Sequence, residues 1–306
     1  MSPERRATAI LFATTLFWGS SFLAMLWGLR GLEPAVGARA APFAFLFLRF
    51  LFALPLHAAL FPGSLRALSG RTIGAGLLLS LPFNAGFILQ TVALRWTTST
   101  ISAFLTSLFV VLTPVIGRAF FAERLVPATL AGGLVSLAGV WILTDPAGGL
   151  GLGEILTLLC AVAFAFQIQL TNVVTRKHPP EAITFVMFAS AVAVSGIALL
   201  ALGIGPGDLL RGLGGPRVPA TTLYTAAVCS VAAFWALNRF QRDISPTRAG
   251  VLYMLEPVVA ALLAVAFDGE PMTPRKLAGG AVIVGGNLLC ELIGRRSVNV
   301  PTRLEQ

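Results

Sequence analysis

Two ionisable side chains stand deep inside apolar stretches. Glu256 lies in GVLYMLEPVVAALLAVAF (250–267) with Pro257 directly after it, and Arg49 lies in FAFLFLRFLF (43–52). A charged group at the centre of a bilayer costs about 2.5–3.5 kcal/mol on insertion scales, so such residues face a bundle interior and mark ligand or ion pathways. Ionised, Glu256 binds a cationic group. Protonated, it carries a proton or donates to a backbone carbonyl. Pro257 cannot donate to the carbonyl of Tyr253 and its ring crowds that carbonyl, so the helix is expected to kink or open there. At about 1.5 Å per residue, Arg49 and Glu256 fall at depths within reach of one another. An Arg49–Glu256 pair is therefore one expectation; the others are a snorkelling Arg49 and an Arg49 bonded to carbonyls.

Softer polar and aromatic candidates sit at similar depth: Trp18, Ser20 and Ser21; Asn84 and Gln90; Gln167, Gln169 and Asn172; Asn238 and Tyr253. Gln167 and Gln169 are two apart on a helix and cannot face the same way. The set expected to bind or couple a substrate is Glu256, Tyr253, Trp18, Ser21, Asn84, Gln167, Asn238 and Arg49, with Pro257 as the helix break. The three cysteines (160, 229 and 290) stand singly in apolar runs, and His57 and His178 stand alone. No disulfide or metal spacing results. There is no HExxH, GxSxG or Walker motif either. The expectation is no metal, no cofactor and no enzyme, with a membrane enzyme or a channel as the rival readings.

These residues need a lipid-embedded scaffold to position them. Of 306 residues, 56% are hydrophobic and 11% charged, where a soluble domain is about a quarter charged. Mean hydropathy is +0.85. Apolar runs of about 18–24 residues, each long enough to cross a bilayer as a helix, fall at 7–28, 41–61, 72–94, 98–120, 126–144, 150–173, 181–204, 219–239, 246–267 and 274–293. Backbone groups in lipid must be satisfied internally, which favours helices. The first run follows Arg5 and Arg6 but is too long for a signal-peptide core and is taken as a retained span.

The net charge of +9 is spread singly or in pairs between runs, so it is read as topogenic and not as a nucleic-acid surface. With the N-terminus inside, inner segments hold about 13 Lys and Arg and outer segments about 7. That excess favours both termini in the cytoplasm.

Displacing the chain on itself by 147 residues aligns 97–143 with 244–290 without a gap, and 14 of 47 positions agree, among them LAGG at 130–133 and 277–280. The chain divides into two five-span halves, 7–144 and 150–293, followed by a tail at 294–306. Five is odd, so the second half enters from the opposite side, an inverted repeat that in transporters encloses a site at the repeat interface. Gly132, Gly133, Gly279 and Gly280 are assigned to close helix packing. Glu123 and Glu270, just before Pro127 and Pro274, are expected to hydrogen-bond amides at those helix starts. Glu256 and Pro257 align with Phe109 and Val110, so the acid and the break belong to one half only.

LFWGSSFLA (16–24), Arg49-Phe50, AFLTSLFVVLTPVIG with AERL (103–125), YMLEPVVAALLAVAF with GE (253–270) and the late LAGG and VIVGGNLL resemble the EamA family of the drug/metabolite transporter superfamily. The resemblance implies an all-α inner-membrane protein of ten helices in two inverted five-helix repeats. Its expected activity is transport, as an exporter, of a small metabolite such as an amino acid, with the bilayer and protons as further partners. It also implies a central cavity lined mainly by spans one, three, four, six, eight and nine, with five and ten peripheral. Two departures stand out: AVAFAFQIQL opens the second repeat in place of a tryptophan-containing stretch, and Asp268 precedes GEP where an apolar residue is more usual.

Overall fold

Apolar segments without a two-residue alternation fold as helix, and helix is the only periodic structure among the described residues. The computed structural model describes residues 3–122, 127–144, 150–240, 253 and 255–294. Its elements are α1 (Pro3–Val36), α2 (Ala41–Leu60), the single turn α3 (Gly63–Arg66), α4 (Gly70–Ala93), α5 (Ser99–Thr106), α6 (Phe109–Phe120) and α7 (Pro127–Thr144). They continue with α8 (Leu152–Val174), α9 (Pro180–Ala201), α10 (Pro206–Leu213), α11 (Val218–Tyr224), a π-helical stretch (Thr225–Ala232), α12 (Ala233–Phe240), α13 (Glu256–Asp268) and α14 (Pro274–Gly294).

Helix falls on each of the ten apolar segments, on the ninth essentially from Glu256 onward. Among the described residues, seven helical stretches are long and apolar enough to cross a membrane. The chain is a multi-pass membrane protein. Large apolar side chains face outward, as lipid-exposed surfaces require: Leu130, Leu134, Leu137 and Trp141 form an exposed stripe along α7 at helical spacing.

Three segments depart from uninterrupted helix. The fourth is two helices, α5 and α6, separated at Ser107–Leu108. The carbonyl of Ser107, on this interruption, accepts from Asn287 Nδ2 at 3.2 Å, and Asn287 Oδ1 accepts from Ser136 Oγ at 3.0 Å. The eighth segment is wound as α, then π, then α. In the ninth, Pro257 lies in the first turn of α13 and not in a helix interior, where its missing N–H leaves no bond unmade. Upstream of it, 241–252 and 254 lie outside the described residues.

The LAGG helices pack on one another as α7 against α14, and the contact is reciprocal. A Cβ on Gly139 would come within 2.6 Å of Ile283 N and 2.9 Å of Gly279 O, while one on Gly286 would come within 2.5 Å of Ser136 N and 2.7 Å of Gly132 O. With the offset of 147, Gly139 corresponds to Gly286, Gly132 to Gly279 and Ser136 to Ile283. Gly280 instead meets the Phe104 ring, and Gly133 meets Val111.

Glu270 does something other than cap the helix beginning at Pro274. Its Oε2 accepts from Ser99 Oγ and Thr100 N at the start of α5, each at 3.3 Å, and its Oε1 accepts from Lys276 Nζ at 2.8 Å. The cap of α14 is Thr273, whose Oγ1 accepts from Lys276 N at 3.2 Å. Glu270 thus ties the second half to a helix start in the first. Glu123 lies outside the described residues. Burial opposes the charge on Glu270, but Lys276, the Thr98 hydroxyl and Thr100 outweigh it and hold the carboxyl below the usual carboxylate range.

A lowered folded-state pKa means that the tether's contribution is complete above the unfolded value of about 4.3 and is lost as pH falls through the folded one. Wild type should therefore melt above Glu270→Gln at pH 7 in detergent, and the gap should close as the medium is acidified below about pH 4. Gly286→Val should cost about 1–3 kcal/mol by overpacking. Gly285→Ala, one residue away with nothing near its added Cβ, should raise stability by up to about 1 kcal/mol through helix propensity; thermal melts of the two variants check both signs.

Candidate functional site

The helices enclose a cavity of about 120 Å³, well above the roughly 10–15 Å³ that one water needs on this measure. Trp18, Ser21 and Phe22 line it from α1, Arg49 from α2, Phe87 and Gln90 from α4, and Thr106 and Phe109 from either side of the α5–α6 break. Phe164, Gln167 and Ile168 come from α8, Phe234 and Leu237 from α12, and Glu256 from the start of α13. The cavity therefore carries one cation and one carboxylate, a few uncharged polar groups, and walls that are mainly aromatic.

Arg49 is 1% exposed. Its Nε donates to Ser230 Oγ at 2.9 Å and its Nη1 to the Met25 thioether at 3.7 Å. The guanidinium carbon lies 4.8 Å from the Phe87 ring centre and 5.4 Å from that of Phe50, within the range of cation–π attraction. No ion pair joins Arg49 to Glu256, one of the three expectations; a hydroxyl, a sulfur and two ring faces hold Arg49 instead. The phenylalanines extend behind Arg49 as a cluster in which Phe50 packs against Phe83, Phe87 and Phe188 at 5.4 Å each.

The π-helical stretch supplies much of this geometry. Ser230, which holds Arg49, and Cys229, whose carbonyl accepts from Trp18 Nε1 at 3.1 Å, are both within it. Just before it, Tyr224 shares a 2.6 Å hydrogen bond with Ser20. Wide turns of this kind recur at functional sites. Neither glycine nor proline marks this one in TAAVCSVA, so the sequence gives no cue to it.

The remaining candidates divide. Gln167 lines the cavity, whereas Gln169 points elsewhere and donates to the Thr113 carbonyl at 3.0 Å, in accord with their spacing. Asn84 is turned away and donates to Ser190 Oγ on α9 at 3.0 Å. Tyr253 packs beside Trp18, ring centres 5.9 Å apart, behind the lining. The side chain of Asn238 lies outside the described residues. Gln90 belongs to the lining set, and its Nε2 donates to Thr106 Oγ1 at 3.4 Å. Thr106, Phe87, Phe109, Phe164 and Phe234 were invisible as site residues, because apolar spacing does not distinguish a cavity wall from a core. Span two, through Arg49, joins the six spans expected to line the space. Spans five and ten, as α7 and α14, do not contribute to it.

A multi-pass helical bundle around a small, charged, aromatic-walled cavity has the form of a membrane transport protein. The EamA-like transporter family matches residues 6–145 and again 151–291, and the chain belongs to that family. A protein of Archaeoglobus fulgidus named as an uncharacterized transporter is 28% identical over 278 residues, covering 90% of this chain and 82% of its own. The Bacillus subtilis uncharacterized transporter YwfM is 26% identical over 166 residues, about half of each chain. A solved crystal structure at 22% identity superposes with a TM-score of 0.63, covering 96% of this chain and 99% of its own, a likeness of fold.

Removing the hydroxyl that holds Arg49 should be costly only while the charge is there. Ser230→Ala should destabilise by about 1–3 kcal/mol by leaving a buried charged donor without its acceptor. In an Arg49→Met background the same change should cost close to nothing, a coupling that thermal melts of the two single variants and the double variant would measure.

Proposed function

We propose that the chain is a secondary carrier that moves a small zwitterionic metabolite, such as an amino acid, by alternating access around the central cavity. The observation that carries this reading is the presence of Arg49 and Glu256 in one small aromatic-walled space without an ion pair between them. A carboxylate on the guanidinium and an ammonium on Glu256 would satisfy both, and the phenylalanine faces suit an apolar side chain. Binding that neutralises both groups favours loading before the bundle rearranges. When empty, Glu256 can take a proton instead, which makes protons the candidate coupling partner. The direction we favour is outward, and no catalytic role is assigned to any residue.

The architecture that suits this mechanism is ten spanning helices in two inverted five-helix repeats, 7–144 and 150–293. Two observations support it: the five-segment halves, and the reciprocal approach of Gly139 to Gly279 and Gly286 to Gly132, as expected when like surfaces meet about a two-fold axis. The preferred setting is a bacterial inner membrane with both termini and the 294–306 tail in the cytoplasm, following the excess of Lys and Arg.

Counterflow in reconstituted vesicles tests the proposal. Saturable, trans-stimulated exchange of an amino acid or related zwitterion is expected, and Arg49→Gln and Glu256→Gln should each reduce it at least about tenfold, the effect of losing about 1.4 kcal/mol of binding to a charged group. Flux that does not saturate, or chemical conversion of the solute, would overturn the carrier reading. Transport indifferent to both a pH gradient and Glu256→Gln would remove the proton from it.

A further inference from the structure

Asp268 breaks the sequence pattern that the rest of α13 follows, and the cavity does not use it. It ends α13, twelve residues beyond Glu256, about 18 Å along the helix. Its Oδ1 accepts from Trp27 Nε1 at 2.9 Å and from Arg30 Nη1 at 2.7 Å, both on α1. Arg30 is nine residues past Ser21, about 13–14 Å from the cavity in the same direction. The guanidinium of Arg217, at the start of α11, lies over the Trp27 ring, 4.4 Å from its centre. Three elements therefore converge on one indole and one carboxylate at a single end of the bundle.

Two more contacts cross between the halves at that end. Glu270 reaches the start of α5, and Thr97 Oγ1 donates to Glu154 Oε1 at 2.7 Å, with Glu154 ten residues, about 15 Å, before the cavity residue Phe164. In the other direction the cavity is continued by a crevice. Gln167, Ile168, Phe234 and Leu237 line both spaces, and the crevice runs on past Thr171 and Thr175, down α8 and away from Glu154.

We propose that Asp268 is a latch: by gripping Trp27 and Arg30 it holds the cavity closed at this end, and it must release them before the cavity can open there. This rests on the alternating-access reading for its purpose; the contacts themselves stand apart from it. Asp268 suits a releasable contact better than Glu270 does. The Arg30 side chain is 58% exposed, so water can take its place on Asp268, whereas the Lys276 side chain on Glu270 is 12% exposed.

The test is labelling of Gln167→Cys with a membrane-impermeant maleimide added to either side of oriented proteoliposomes; the native Cys160 and Cys229 are buried, and protein without the added cysteine gives the background. With Asp268 intact, labelling is expected from the crevice side. Asp268→Asn should raise labelling from the Asp268 side roughly fivefold, the population shift for losing about 1 kcal/mol of net hydrogen bonding. Arg30→Gln, on an exposed residue that the fold tolerates losing, should do the same, and the two together should add little. Unchanged two-sided labelling in folded Asp268→Asn or Arg30→Gln protein would overturn the latch. Counterflow of the wild-type chain is measured in parallel vesicles. If it is absent while Asp268→Asn still opens that end, the latch stands and the carrier reading falls.

Discussion

A guanidinium inside a bundle of apolar helices has no water to fall back on, and its burial constrains everything around it. The partners that Arg49 finds among the described residues are uncharged: a serine hydroxyl, a thioether and two aromatic faces. Each supplies part of the hydration lost on burial, and none supplies a countercharge, so the cation stays electrostatically incomplete. A carboxylate placed against it would hold it more tightly and would also silence it, since a neutralised pair offers a ligand little. The π-wound backbone that presents Ser230, and the phenylalanine cluster behind the guanidinium, are best understood as the means of keeping that charge in place and unspent.

The same economy governs the backbone. Wherever a helix departs from regular winding in a low-dielectric setting, the polar groups involved need named partners. Asn287 reaches the Ser107 carbonyl at the α5–α6 interruption, and Trp18 reaches the Cys229 carbonyl in the π-wound stretch. Both departures adjoin the cavity, with Thr106 and Phe109 flanking the first, so local irregularity and site coincide. α7 and α14, which carry no site residues, meet through glycines at the closest approach.

How far the sequence disclosed this follows from the same physics. Hydropathy and turn residues were enough to place helix on all ten apolar segments, because lipid leaves a chain few alternatives. Arg49, Glu256, Trp18, Ser21 and Gln167 were visible as anomalies of depth, and all five line one cavity. Asn84 is an equal anomaly, but a neighbouring helix satisfies it, and only tertiary packing distinguishes the two cases. The π-wound stretch has no composition to betray it. Glu270 was assigned to the helix that follows it, since local capping is what sequence proximity suggests, whereas two of its partners, Ser99 and Thr100, are about 170 residues away in the chain. The Arg49–Glu256 pair failed for a related reason: similar depth limits what can touch without stating which faces meet.

The glycine-lined seam between α7 and α14 has a mechanical consequence. The backbones touch directly where Gly139 meets Gly279 and Gly286 meets Gly132, so at these four positions no side chain holds the two helices apart. On the proposed carrier reading such a seam serves as an axle, stiff against separation yet permissive of small rotation. Leverage then grows with distance from it, so on that reading the rim contacts, and not the axle, set how readily the halves swing.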